Sequence, residues 1–208
     1  SLPPPPPPPV PGPNDIWINE VAWAGTVTSS GDRWLELLNR TDNAFPLDGL
    51  TLEISTSTNR VPLSGTIPAR GYYLIEKREE ATSIAGDLLY PFSLSFSGDS
   101  IRLFSSTTTI DEISSCLNWC SNGLSNPPTS MERLTQTTFG TNDPLIFSGF
   151  EQDGRQIRGT PKASNSVLHL VNQNNDVSSN LTLSLSNSPY LINNKTLNVL
   201  AGVTLTIE

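Results

Sequence analysis

From Asp15 onward, hydrophobic and polar residues alternate with a period of two. In residues 49–55, GLTLEIS, Leu50, Leu52 and Ile54 share one face while Thr51 and Glu53 share the other. Leu94 and Phe96 in SLSFS, then Ile101 and Leu103 in SIRLFS, repeat the pattern, which predicts strands with one buried and one wet face. SSGD, LDG, PARG and SGDS supply Gly or Asp at short intervals, where the backbone must reverse. Short strands without long crossovers predict an all-β sandwich. IEKREEATSIAG carries helix-forming residues and Gly86, enough for a turn or two of helix, and is expected to be a solvated connection.

The two ends depart from this pattern. SLPPPPPPPVPGP is restricted to an extended polyproline II form, because proline fixes φ and donates no N–H. It reads as a stiff spacer, with a Pro-recognition groove as the rival use. NQNNDVSSN, residues 172–180, is polar enough for a linker or loop. Two further alternating segments follow, Leu181, Leu183 and Leu185, then Val203, Leu205 and Ile207. A lone strand pair is marginal in water, so this tail needs the sandwich, further polypeptide or another molecule to cover it. The chain thus divides into an arm (1–14), a sandwich (15–165) and a C-terminal strand extension (166–208).

Composition sharpens the class. Hydrophobic residues make up 36% and charged residues 15% of 208 positions, a balance suited to strands and turns. Twelve basic against twenty acidic side chains give a net charge of −8 without a Lys/Arg run, which argues against nucleic acid as a partner. The longest largely apolar stretch, LNVLAGVTLTI, is far shorter than the ~20 residues of a membrane-spanning helix. The start at Ser1 rather than Met fits removal of a secretion signal.

Candidate chemistry is sparse. His169 is the only histidine, on the alternating VLHLV, and is read as an ordinary strand residue. The sequence has neither a G-x-S-x-G elbow nor a P-loop. Paired carboxylates could hydrolyse a glycosidic bond, but Asp111 and Glu112 point to opposite strand faces, and Glu79 and Glu80 sit in a charged connection. The acids of SSGD and FSGDS read as turn formers, with Ca²⁺ as the rival. No catalytic residue, metal ligand or cofactor is assigned. Cys116 and Cys120 are the only cysteines. In a straight strand their Cα atoms would lie about 13 Å apart, too far to bond, whereas a helical turn or tight loop gives about 6 Å. They are expected to form a disulfide in an exposed loop. Sequons begin at Asn39, Asn180 and Asn194, and Trp17, Trp23, Trp34 and Trp119 are either core residues or a sugar-stacking platform.

One further reading comes from WINEVAWAGT, DRWLELLNRTDNAFPLDGLTL, IPARGYYLIEK, LSFSGDSIRLF, DEI and SMERL, taken in order. Together they resemble the lamin tail domain in its bacterial form, over residues 16 to 164 and closing in GTPKASN. The resemblance implies an immunoglobulin-like β-sandwich. It places Glu20, Glu36 and Asn39 on the family's framework positions rather than in an active site. The alternation of WLELLN agrees, setting Leu35 and Leu37 against Trp34, Glu36 and Leu38, where a carboxylate can accept from backbone or from the Asn39 amide. CLNWC and the tail lie outside that pattern. The tail's NSPYLINNKTLNVLAGVTLTIE resembles the lead-in to parallel β-helix repeats of bacterial surface proteins. These readings predict a secreted or surface-displayed bacterial module, non-catalytic, that binds protein partners or polymerises through strand edges and loops such as VTSSGD, TSTNR and CLNWC. The rival is an accessory domain of a larger secreted enzyme or β-helix surface protein.

Overall fold

In the computed structural model the described residues are 7–55, 60–79, 81–106, 108–115, 117–120, 126–168, 176–183, 190 and 197–208. Their strands, in chain order, begin with β1 (Ile16–Val21), β2 (Trp34–Asn39), β3 (Phe45–Pro46), β4 (Thr51–Ile54), β5 (Arg60–Pro62), β6 (Thr66–Ile67), β7 (Tyr72–Glu76) and β8 (Leu88–Leu89). They continue with β9 (Ile101–Phe104), β10 (Thr109–Ile113), β11 (Met131–Arg133), β12 (Phe139–Thr141), β13 (Asp176–Val177), β14 (Leu181–Leu183), β15 (Asn198–Val199) and β16 (Leu205–Ile207). Helical structure among them is limited to two 3-10 turns, Leu117–Cys120 and Ser166–Leu168.

The fold is an all-β sandwich. One sheet has the order β12-β11-β1-β2-β7-β8 and the other β10-β9-β4-β5. Alternation explains the core: Ile18, Leu35, Leu37 and Ile75 of the first sheet meet Leu52, Ile54, Ile101 and Leu103 of the second in one buried cluster. A small antiparallel pair, β3 with β6, is built from the turn-rich stretch around Leu47.

Four sequence expectations change. First, WLELLN has no wet face. Trp34 and Leu74 pack behind the first sheet with Ala22, Ala81 and Ile157, so chain from the 77–90 and 142–167 connections covers the outer side. The 77–87 connection is therefore only partly solvated, and no helix forms in its described residues. Second, SLSFS is a loop: the Asp99 carboxylate accepts from the Ser95 N–H and the Ser55 hydroxyl, drawing the chain into a turn. Leu94 is buried while Phe96 is exposed. Third, NQNNDVSSN is not wholly a linker, because β13 lies within it. Fourth, the tail strands find partners in one another: β14 runs parallel to β16, and β13 to β15.

The arm meets the sandwich at its end. Pro11 is buried, Gly12 N–H donates to Asp15 at 2.7 Å, and Asn14 N–H donates to the Ile110 carbonyl at 2.7 Å.

A buried carboxyl network as the candidate site

The acids singled out in the sequence come together, with one that was not. β1 lies between β2 and β11, and register places Glu20 opposite Glu36 on one side and Glu132 on the other. A bulge between Ile18 and Glu20 inserts Asn19 and turns it toward the same region. All three glutamates are 0% exposed. Like charges directly opposite one another destabilise a sheet, so the row requires a compensating shell.

Residues 130–167 supply that shell. Glu20 accepts from the Ser130 hydroxyl, the Thr160 N–H (2.9 Å) and the Thr160 hydroxyl (2.8 Å). Glu36 accepts from the Asn19 amide (2.9 Å) and the Lys162 N–H. Glu132 accepts from the Asn142 amide (2.7 Å), the Ser166 hydroxyl (2.6 Å) and the Val167 N–H (2.9 Å). Asn165 completes the ring, bonding Asn19 and the Arg133 carbonyl. Close approach needs Gly159: a Cβ there would lie 2.6 Å from the Trp34 ring and 3.0 Å from Glu20 Oε1.

Proton counting constrains the charge state. Thr160 Oγ1 lies 2.8 Å from Glu20 Oε2 and 3.2 Å from Glu132 Oε1. A hydroxyl has one proton to give. Both contacts are hydrogen bonds only when one carboxyl is protonated and donates to Thr160. Electrostatics point the same way: burial drives Glu20 well above the ordinary carboxyl range, with the Glu132 and Glu36 charges adding to it. Burial likewise raises Glu36 to about 8 and raises Glu132. Nearby Glu76 is raised by burial to about 7, while the bond from the Thr82 N–H at 3.0 Å opposes the rise. The network is a set of acids biased by burial toward the protonated form, and it pins the 130–167 segment to the sheet.

Asn39 belongs to a separate lock, and its amide does not reach Glu36 as expected. Its Nδ2 donates to the Asn43 (2.7 Å) and Pro68 (2.8 Å) carbonyls, and its Oδ1 accepts from the Thr41 N–H (3.0 Å) and hydroxyl (2.9 Å). All four hydrogen-bonding positions of the amide are used, and the side chain is 0% exposed, which leaves its sequon no room for a glycan. Asn39→Ala should lower stability by about 3 kcal/mol, since two carbonyls and two donors each lose a partner at a buried site. Urea unfolding checks this, and a loss under about 1 kcal/mol would contradict the fourfold role.

The other candidates separate. Asp111 is buried and ion-paired with Arg133, whereas Glu112 is exposed. Asp32 of SSGD accepts from the Thr26 hydroxyl, and Asp99 holds its own turn. Glu79 is exposed, and Glu80 lies outside the described residues. His169, Cys116 and Asn194 also lie outside them, while Asn180 is exposed. Cys120 ends the Leu117–Cys120 turn and is not a free cysteine. That turn is more than an exposed loop, for Trp119 is fully buried, stacks on Trp23 at 6.5 Å and donates to the Ser95 carbonyl. Trp23 and Trp34 are buried as well, and Trp17 lies beneath Arg40 at 3.7 Å. Of the loops nominated for contacts, VTSSGD is tied down by Glu151, which accepts from the Val27 and Thr28 N–H groups. TSTNR and CLNWC fall partly outside the described residues.

Glu132, Thr160 and Asn165 were not singled out from sequence, although SMERL and GTPKASN contain them. Their partners are more than a hundred residues away in several cases, a separation that periodicity does not encode. No helix among the described residues is long and apolar enough to cross a membrane, and no three His, Cys, Asp or Glu side chains among them are placed to hold a metal ion. No protein-family model matches the sequence, and no curated protein matches it.

Proposed function

We propose that this chain is a non-catalytic extracellular module, a lamin-tail-like sandwich of immunoglobulin type that is displayed at a bacterial surface. It works by binding or assembling with proteins through strand edges and terminal segments. The observation that carries the reading is the use made of the acids. Glu20, Glu36 and Glu132 each spend their oxygens on hydrogen bonds inside the fold, at 0% exposure, where no substrate atom reaches them. The framework role that the family resemblance implies for Glu20, Glu36 and Asn39 is of the same kind. A disulfide between Cys116 and Cys120 fits the extracellular setting.

A second reading, an accessory unit of a longer β-helix surface protein or secreted enzyme, is favoured by the tail, whose strands pair in parallel at offsets of 22 and 24 residues.

The test is turnover. Incubated with polysaccharide, ester and phosphodiester substrates, the purified chain should release no product, and alkylation without reduction should label neither cysteine. Turnover that Glu20→Gln or Glu36→Gln abolishes would overturn the proposal. Light scattering across protein concentration then separates the readings: growth in mass favours self-assembly, a constant monomer the accessory unit.

A further inference from the structure

Residues 176–208 contain two parallel strand pairs. Asp176 lies beside Asn198 and Val177 beside Val199; Leu181, Thr182 and Leu183 lie beside Leu205, Thr206 and Ile207. Parallel pairing requires the chain to travel out and return in the same direction. Two such pairs in succession, at offsets of 22 and 24 residues, lay residues 198–207 strand for strand upon residues 176–183, as solenoids stack successive coils. Like sits on like: Val177 under Val199, Leu181 under Leu205, Leu183 under Ile207. The Asn198 amide also donates to the Asp176 carboxylate at 3.1 Å.

The two coils differ in cover. Val177 and Leu183 of the first are 3% and 7% exposed, whereas Val199 and Ile207 of the second are 43% and 74% exposed. Backbone direction identifies the open side. Leu200 N–H donates to the Val177 carbonyl, Glu208 N–H to the Leu183 carbonyl, and the Thr204 carbonyl accepts from Leu181. Leu200, Thr204 and Glu208 therefore face the first coil. Alternation along a strand then turns the N–H and C=O groups of Val199, Leu205 and Ile207 to the opposite edge, where no strand among the described residues pairs with them. That edge carries no Lys, no Pro and no bulge, the devices that keep an edge strand from being extended.

We propose that this outer edge seats a third coil in parallel register, a covalently tethered one of the same 22- to 24-residue spacing, with aliphatic residues over Val199, Leu205 and Ile207. The first coil shows which strand chemistry such an edge accepts, and at what spacing. The length of the edge selects its source. β15 has two residues and β16 three, too few bonds to offset the ~4–15 kcal/mol that free association costs. A tethered coil avoids most of that cost. The inference rests on the second reading of function given above.

The experiment extends the full chain. A copy of residues 185–208 is appended after Glu208 in one version and of residues 187–208 in another, covering the two observed offsets. Exchange of the Val199, Leu205 and Ile207 amide protons is then followed by NMR. The proposal expects one version to slow exchange at these amides on the order of tenfold or more. Ile207→Pro in that version should restore fast exchange at Val199 and Leu205, because it removes an outward N–H while leaving the bonds to the first coil intact. Unchanged exchange in both versions would overturn the proposal. So would slowing in the unextended chain as its concentration rises, which would make a second copy the occupant. Neither result bears on turnover, so the non-catalytic reading stands or falls separately.

Discussion

Asp111→Ala should cost about 3–5 kcal/mol of folding stability, the largest single-residue effect expected in the sandwich. The Arg133 side chain is 0% exposed, and its Nη1 donates to Asp111 Oδ1 at 3.0 Å. Its Nε and Nη2 have no hydrogen-bond partner; instead the guanidinium lies 5.0 Å from the centres of both the Trp17 and Phe139 rings. Asp111 Oδ2 accepts from the Ile18 N–H at 2.7 Å, beside the β1 bulge. One carboxylate therefore neutralises a buried cation and joins the edge of one sheet to a strand of the other. Its removal leaves a buried charge and an orphaned N–H, whereas Asp111→Leu with Arg133→Met removes both charges and should recover most of the loss. Urea midpoints at unchanged slope measure it. A loss below about 1 kcal/mol would show that water reaches Arg133.

Stability should also fall as the pH rises from about 5 to about 8, opposite to the usual behaviour of paired carboxylates. A group whose pKa is raised by folding stabilises fully below its unfolded value and loses that contribution as pH climbs through its folded value. For Glu36 the window runs from 4.5 to about 8. Each group held protonated there contributes a slope of about 1.4 kcal/mol per pH unit, so Glu36 alone accounts for a loss on the order of 4 kcal/mol. Glu20 and Glu132 shift in the same direction. Exposed Asp42 and half-buried Glu53 act oppositely, since Arg70 and Arg102 with Arg60 lower their pKa values and their contribution disappears in acid. Thermal melts should therefore peak near pH 5, and Glu36→Gln, neutral throughout, should flatten the decline. A melting temperature that is level or rises from about pH 5 to 8 would contradict the neutral network.

How much of this was legible depends on the range of the interaction. Leu50, Leu52 and Ile54 announce their strand because its alternation is local, and the sandwich follows from several such segments. Glu36 was read as a framework acid through a family resemblance, with which its place among Trp34, Leu35, Leu37 and Leu38 agreed. Its partners were not, because Lys162 is 126 residues away and no period links the two. SLSFS alternates yet fails as a strand, since the Asp99 carboxylate offers its backbone a competing bond. Asp176–Val177 is too short to carry a pattern, and only its parallel partner makes it a strand. The tail's Leu and Ile positions were readable as strands, but their pairing with each other is a matter of chain return that alternation leaves open.

The central claim is that Glu20, Glu36 and Glu132 are framework acids that retain protons inside the fold. Carboxyl carbon NMR of glutamate-labelled protein, titrated across the neutral range and assigned with the three Glu→Gln variants, tests it directly. The predicted result is that Glu36 keeps the chemical shift of a protonated acid through pH 6 to 7 and titrates at about 8, with Glu20 and Glu132 also displaced upward from the ordinary carboxyl range. If all three signals titrate together in the ordinary carboxyl range, near 4.5, the network is solvated and charged, and the account is wrong.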